Sequence, residues 1–131
     1  MRLSDVVFLE VEDVERAHTL SLARFGGLDG IRDPGLLASA VAAVRSGYYT
    51  TLVELAAVYA HGIAKNHPFL DGNKRTALSA AGMFLGANGF DLVLGLEWVG
   101  YIEQLAAGTL SREDLVFKIA EAVGDKVALE D

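Results

Sequence analysis

Residues 51–89 read TLVELAAVYAHGIAKNHPFLDGNKRTALSAAGMFLGANG, and this stretch decides the fold. Thr51-Leu-Val-Glu54 fits a capping box, in which a threonine and a glutamate satisfy free amide donors at a helix start. The apolar helix that follows should end by Asn66, because Pro68 disfavours helical geometry at the residue before it. A second apolar helix is predicted from about Asn73 to Asn88. The stretch therefore predicts two central helices joined by a tight, polar loop.

The rest of the chain is predicted to add four helices and little else. Apolar residues recur at helical spacing, and cap residues such as Asp33 before Pro34, and Ser111, mark where helices start. β-Branched and aromatic residues predict a short strand at most near the N-terminus, and a second segment, extended or a short strand, follows the central helices. The four helices are expected at Glu12–Phe25, Asp33–Ser46, Glu97–Ala107 and Glu113–Gly124, and the extended segments at Val6–Leu9 and Phe90–Leu94.

The composition is that of one folded domain, expected to span residues 1–131. Hydrophobic residues make up 52% of the chain and charged residues 22%, which excludes intrinsic disorder. A net charge of −7 argues against nucleic acid as a partner, because such binding relies on Lys and Arg neutralising phosphates. The absence of cysteine excludes disulfides, thiol catalysis and Cys-ligated zinc.

No segment predicts a membrane span or a secretion signal. The longest uncharged run, Thr76–Phe90, is interrupted by three glycines and is shorter than the roughly 20 apolar residues that a spanning helix needs. The N-terminus lacks a basic segment followed by an apolar one. We therefore expect a soluble, cytoplasmic domain with no membrane partner.

The loop between the two central helices gathers the residue types of a phosphate-transfer site. Within residues 67–75 are a histidine, a carboxylate, an amide and two cations, all next to a helix N-terminus. Free amides and the helix dipole favour anions there, whereas cations at that position oppose the dipole. A histidine can deprotonate a hydroxyl near neutral pH, and a carboxylate can hold Mg²⁺ against phosphates.

Each of these residues also has a structural explanation when taken alone. Asp71 is about equally well explained as a simple N-cap, and Gly72 as a turn glycine. Lys74 and Arg75 are consistent with a solvated face, and His67 with a surface histidine. The conjunction of all five in one loop favours function. The remaining histidines, His18 and His61, are expected in the core or a groove, and the aromatic residues Phe84, Phe90, Trp98 and Phe117 in the core.

The segment His67-x-Phe69-x-Asp71-Gly72-Asn73-Lys74-Arg75 strongly resembles the motif of the Fic/Doc superfamily, His-x-Phe-x-Asp/Glu-Gly-Asn-Gly-Arg-x-x-Arg. Arg24-Phe25-Gly26-Gly27, Asp33-Pro34-Gly35-Leu36-Leu37 and Ala64-Lys65-Asn66 resemble its Doc branch, the death-on-curing toxins of type II toxin–antitoxin pairs. The likeness extends from about Phe8 to Gly124. It implies a compact, all-α Fic/Doc bundle of about six helices.

Two departures from the Fic motif bear on the reaction. Lys74 stands where adenylyltransferases of the Fic kind have a second glycine, and Leu78 stands where they have a second arginine. The Lys-bearing motif is similar to that of the Doc branch, which transfers the γ-phosphate of ATP. The resemblance therefore implies phosphorylation of a protein hydroxyl, with adenylylation as one alternative and a non-catalytic, antitoxin-binding module as the other.

The resemblance also implies roles and partners. His67 would be the base on the acceptor hydroxyl, Asp71 the group holding Mg²⁺, and Phe69 part of the motif's scaffold. Gly72, Asn73, Lys74 and Arg75 would hold the phosphates of ATP. The implied target belongs to the translation machinery, specifically a threonine of elongation factor Tu, and the implied inhibitor is a Phd-like antitoxin whose C-terminal segment folds into an apolar groove. No inhibitory Ser/Thr-x-x-x-Glu-Gly/Asn helix is present, so control is expected from that separate protein.

Overall fold

The computed structural model describes residues 1–92 and 94–131, and six α-helices carry most of its regular structure. They are α1 (Val11–Phe25), α2 (Pro34–Ala42), α3 (Leu52–Asn66), α4 (Asn73–Ala87), α5 (Leu96–Ala107) and α6 (Arg112–Val123). Two single-turn 3₁₀ segments, Leu3–Asp5 and Ala43–Arg45, complete the helical structure. The expected all-α bundle of about six helices is confirmed. None of the helices in this described part is long and apolar enough to cross a membrane.

Helix α3 lies at the centre of the bundle and contacts α2, α4, α5 and α6. It carries few charges, and most of its side chains are buried, as its apolar sequence predicts. Helix α4 packs along α3 and also contacts α1 and α5. Each buried apolar Å² contributes about 25 cal/mol, so burial of these two helices is the main source of stability. The loop that joins them is thereby held between the two best-buried elements of the fold.

The predicted caps are present, with one difference in detail. Thr51 caps α3 by accepting the Glu54 N–H at 3.2 Å. The Glu54 carboxylate does not return the bond to the Thr51 N–H, and instead accepts the hydroxyls of Thr50 and Thr51. The capping box of α3 is therefore only half formed. The caps predicted at Asp33 and Ser111 are both confirmed, the second as a full capping box.

The fold has at most a short β element near the N-terminus, as expected, and Val6–Leu9 do not form the short strand that their composition allows. Residues Val6–Leu9 are extended, but no strand pairs with them in the described chain. Side chains supply the partners instead. The Val7 N–H donates to Asn88 Oδ1 at 2.8 Å, and the Leu9 N–H donates to the Tyr59 hydroxyl at 3.0 Å. Because these bonds satisfy the backbone, the segment needs no neighbouring strand.

Two other expectations also need correction or a limit. The described residues of Phe90–Leu94 form no strand, and Val93 lies outside the described residues. Phe117, expected in the core, is 64% exposed. It stands two residues from each of the buried Leu115 and Ile119, which puts it on the opposite face of α6. Phe84 and Trp98 are buried as expected, and Phe90 is partly buried.

Candidate active site

A cleft of about 380 Å³ lies where α3 ends and α4 begins. Leu70 and the α5 residues Val99 and Glu103 form part of its wall. Six of the seven residues singled out in the sequence line the same cleft: His67, Asp71, Gly72, Asn73, Lys74 and Arg75. The seventh, Phe69, is 1% exposed and is packed underneath. The fold therefore brings the expected base, carboxylate and cations together.

His67 ends α3 in a left-handed backbone conformation, with φ 50° and ψ 59°. A side chain with a Cβ disfavours this region, and the following Pro68 disfavours helical geometry at His67 as well. Such a conformation costs about 1–3 kcal/mol and persists only where the surroundings enforce it. The imidazole is exposed at the cleft, where it can reach an acceptor hydroxyl.

Asp71 is not the N-cap of α4. Gly72 occupies that position with φ 75°, and no side chain caps the helix. The Asp71 carboxylate instead accepts the Gly72 N–H on Oδ1 at 2.9 Å and the Leu28 N–H on Oδ2 at 3.2 Å. A Cβ on Gly27 would stand 2.8 Å from Oδ2, so glycine is needed there for the carboxylate to take this position. The N-cap explanation left open by the sequence is therefore wrong, and the Asp71 carboxylate, which lines the cleft, is held by two backbone amides.

Asn73 holds the loop with its side chain. Its Oδ1 accepts the Phe69 N–H at 2.9 Å, and its Nδ2 donates to the Phe69 carbonyl at 3.0 Å. The residue is 8% exposed, so these are buried bonds. Because the side chain bonds Phe69, only the backbone N–H of Asn73, at the start of α4, is free for the predicted contact with phosphate.

The two cations lie in the first turn of α4 and are exposed. No carboxylate of the described residues lies within salt-bridge distance of Lys74 or Arg75. The Arg75 guanidinium lies over the Phe25 ring at 4.4 Å from its centroid. The amides of Asn73, Lys74 and Arg75 precede the first intrahelical bond, which runs from the Thr76 N–H to the Gly72 carbonyl. Unpaired cations, free amides and the helix dipole together give this end of α4 a positive potential that favours anions.

Sequence reasoning missed the elements that support the loop from outside. His18 of α1 is 3% exposed, stacks on Phe69 at 3.9 Å between centroids, and places Nε2 at 2.8 Å from the Asp71 carbonyl oxygen. The connection between α1 and α2 also pairs with the loop, through an isolated bridge between Ile31 and Phe69. The apolar residues around His18 in the sequence predict that it is buried, but nothing in that sequence indicates which loop it contacts.

Comparison with known proteins agrees with this geometry. The family model described as Fic/DOC matches residues 8–85. The chain belongs to the Fic/DOC family. "Protein kinase doc" of Escherichia phage P1 is 34% identical over 116 residues, covering 86% of this chain and 89% of that protein. "Toxin Doc" of Mycolicibacterium smegmatis is 36% identical over 129 residues, covering 94% and 96%.

The two departures from the Fic form lie in different environments in this Fic/DOC chain. Lys74 lines the cleft. Leu78 is partly buried and lines a small apolar cavity with Leu94 and Trp98, on the side where α4 meets α5. The position of the second Fic arginine is thus occupied by a core-packing side chain, and the cleft holds a long cation where the Fic form has only backbone.

The other histidine of this Fic/DOC bundle, His61, lies outside the cleft. It is half-buried on α3 and lines a separate groove with Lys65 and Arg112. Burial lowers the pKa of His61, and the charges of Arg112 and Lys65 lower it further. The expectation that His18 and His61 are core or groove histidines is confirmed, which leaves His67 as the histidine that faces the cleft.

The donor set of the cleft fits Mg²⁺ held jointly with phosphates. The described residues contain no group of three or more His, Asp or Glu side chains that could hold a metal ion by themselves. Mg²⁺ in nucleotide sites commonly takes one or two carboxylates, with substrate phosphates and waters supplying the other oxygens. Asp71, a single oriented and exposed carboxylate beside an anion site, matches that pattern.

Proposed function

We propose that this Fic/DOC protein is the toxin of a toxin–antitoxin pair, and that it transfers the γ-phosphate of ATP to a Ser or Thr hydroxyl of a translation factor. The names of both relatives support the first statement, and the name "Protein kinase doc" supports the second. The observation that carries the proposal is the single cleft in which an exposed His67, an oriented Asp71 and the unpaired cations of α4 meet. Phosphoryl transfer needs mainly positioning and charge neutralisation, which this set supplies.

The residues divide the work by position. The acceptor hydroxyl oxygen bonds to the γ-phosphorus, the bond from that phosphorus to the β–γ bridging oxygen breaks, and ADP leaves. His67 takes the hydroxyl proton as the new bond forms. Lys74, Arg75 and the free amides that begin α4, Asn73 included, hold the phosphates, and Gly72 lets the backbone turn into the helix. Asp71 would hold Mg²⁺, which when bound offsets phosphate charge.

The cleft favours phosphoryl over adenylyl transfer. Adenylylation requires the α-phosphate to lie next to the acceptor hydroxyl. In the Fic form, the second glycine of the motif leaves space for it there. Here Lys74 carries a long cation into the cleft. The terminal phosphate would also lack its second arginine, because Leu78 packs against apolar neighbours instead. Both features support a pose in which the γ-phosphate faces the hydroxyl.

The partners follow from the same assignment. The target we propose is elongation factor Tu, modified on a threonine, with arrest of translation as the outcome. The inhibitor we propose is a Phd-like antitoxin whose C-terminal segment folds into an apolar groove of this protein.

Expression in a bacterial host tests the proposal. Wild type should stop growth, and elongation factor Tu recovered from those cells should carry the mass of one phosphate. His67→Ala should do neither, since removing a general base costs about 10²- to 10⁴-fold in rate. Mass of one AMP on the target would replace the kinase with an adenylyltransferase. A protein that modifies nothing and still binds an antitoxin would favour the non-catalytic module.

A further inference from the structure

The connection between α1 and α2 runs beside the loop that carries His67. The Leu28 N–H reaches Asp71 at one end of the contact, and the Arg32 and Asp33 N–H groups reach the Pro68 carbonyl at the other, at 2.7 and 3.0 Å. Between them the Leu70 N–H donates to the Gly30 carbonyl at 3.0 Å. The two segments are therefore joined along their length by hydrogen bonds, one to the Asp71 side chain and three between backbone groups.

One side chain in this connection contacts the backbone of the proposed base itself. Arg32 Nε donates to the His67 carbonyl at 2.6 Å, and Arg32 Nη2 donates to the Asn66 carbonyl at 2.7 Å. Together with its backbone N–H on Pro68, Arg32 thus binds three successive carbonyls, on both sides of the His67 α-carbon. The fork of the guanidinium makes this possible, because its donors are fixed in one plane.

The Arg32 side chain donates to carbonyls at the C-terminal end of α3 that have no partner within the helix. The last carbonyls of a helix lack intrahelical partners and carry its negative dipole end, which favours a cation. Within the described residues, Arg32 is the only donor to the carbonyls of Asn66 and His67. His67 also holds a left-handed conformation that its own side chain disfavours. A residue that binds the carbonyls on either side fixes the direction in which the α-carbon presents its imidazole.

We propose that Arg32 is a positioning residue that holds His67 in its working orientation. The inference rests on the proposed function, in which His67 is the base. Displacement of a reacting group by about 1 Å can lower a rate by about 10². Loss of the guanidinium should therefore act on the catalytic step and leave ATP binding nearly intact, since the phosphate-binding groups lie on α4.

Steady-state kinetics of two variants test this inference. In Arg32→Met, kcat for target phosphorylation should fall by about 10- to 100-fold while the KM for ATP changes less than about twofold. Arg32→Lys, whose ammonium lacks the planar fork, should lie between Arg32→Met and wild type. Arg16→Met is the matched control, because Arg16 is exposed on α1 and pairs only with Asp13. Unchanged kcat in both Arg32 variants would overturn the inference.

A double-mutant cycle with His67→Ala separates positioning from general support of the fold. If Arg32 acts through His67, adding Arg32→Met to His67→Ala should lower the residual rate no further. A further drop equal to that seen in the single variant would overturn the inference, because Arg32 would then act independently of the base. Arg32→Lys in the same cycle decides the question where Arg32→Met does not fold.

A structural readout keeps the inference apart from the proposed function. Should wild type transfer no phosphate at all, the proposed function fails, and the cycle has nothing to measure. The crystal structure of Arg32→Met still answers the positioning question. Departure of His67 from positive φ supports the role of Arg32, and an unmoved left-handed His67 overturns it.

Discussion

Asn73→Ala should destabilise the protein strongly, although the residue lines the cleft. Its side chain makes two buried bonds with the backbone of Phe69, one to the N–H and one to the carbonyl. Alanine removes both and leaves the two backbone groups without partners in a site that is nearly closed to water. Each of the two unsatisfied buried groups costs about 1–3 kcal/mol, so the free energy of unfolding should fall by about 2–6 kcal/mol.

For a domain of this length, about 1 kcal/mol shifts the melting temperature by roughly 3–5 °C, so the expected drop is roughly 6–30 °C. Thermal unfolding followed by circular dichroism measures the drop directly. The neighbouring Lys74→Ala is the matched control. Lys74 opposes the dipole of α4, so its removal should leave stability unchanged or raise it by a few tenths of a kcal/mol. If Asn73→Ala has the same melting temperature as wild type, the hydrogen bonds between the Asn73 side chain and the Phe69 backbone are refuted.

Three further changes test other contacts of the structure. Gly27→Ala should raise the Mg²⁺ concentration needed for activity, because the new Cβ would lie 2.8 Å from Asp71 Oδ2. Gly26→Ala is the control: Gly26 also has a positive φ but has open space around it, so this variant should change the Mg²⁺ requirement less. Thr76→Val should raise the free energy of unfolding, measured in urea, by about 1 kcal/mol, since the Thr76 hydroxyl is buried without a hydrogen-bond partner among the described residues. A clear decrease in the free energy of unfolding would show that the hydroxyl is hydrogen-bonded. Burial raises the pKa of Tyr59 to about 12 from 10.0, so the contribution of Tyr59 to stability is complete below pH 10 and is lost as the pH rises toward 12. Tyr59→Phe should therefore lose less stability than wild type between pH 10 and 12. Equal losses would contradict the pKa shift.

Local signals in the sequence predicted the helices well. The bounds of α3 follow from Thr51 at its start and Pro68 after its end, and both act through the nearest few residues. The same holds for the caps at Asp33 and Ser111. The loop between α3 and α4 was likewise located from sequence, because its residue types are unusual at the start of a helix. Elements set by neighbours along the chain could thus be placed without a structure.

Contacts between distant residues could not be placed in the same way. Val6–Leu9 has the composition of a strand, but its hydrogen bonds go to Asn88 and Tyr59, which the fold alone brings near. Arg32 lies in a loop whose composition predicts turns, and nothing in that composition indicates that the loop joins the end of α3. The role of Asn73 was assigned from its motif, whereas its bonds to Phe69 depend on how the loop closes. In each case the deciding partner is a backbone group or side chain that only tertiary structure supplies.

Transfer of label from ATP tests the central claim most directly. Wild-type protein is incubated with purified elongation factor Tu, Mg²⁺ and ATP labelled at either the α- or the γ-phosphate, with His67→Ala as the control. The account predicts label on the target from γ-labelled ATP alone, and none from either nucleotide with His67→Ala. Label from the α-position with wild type, or undiminished γ-label with a folded His67→Ala, would contradict it.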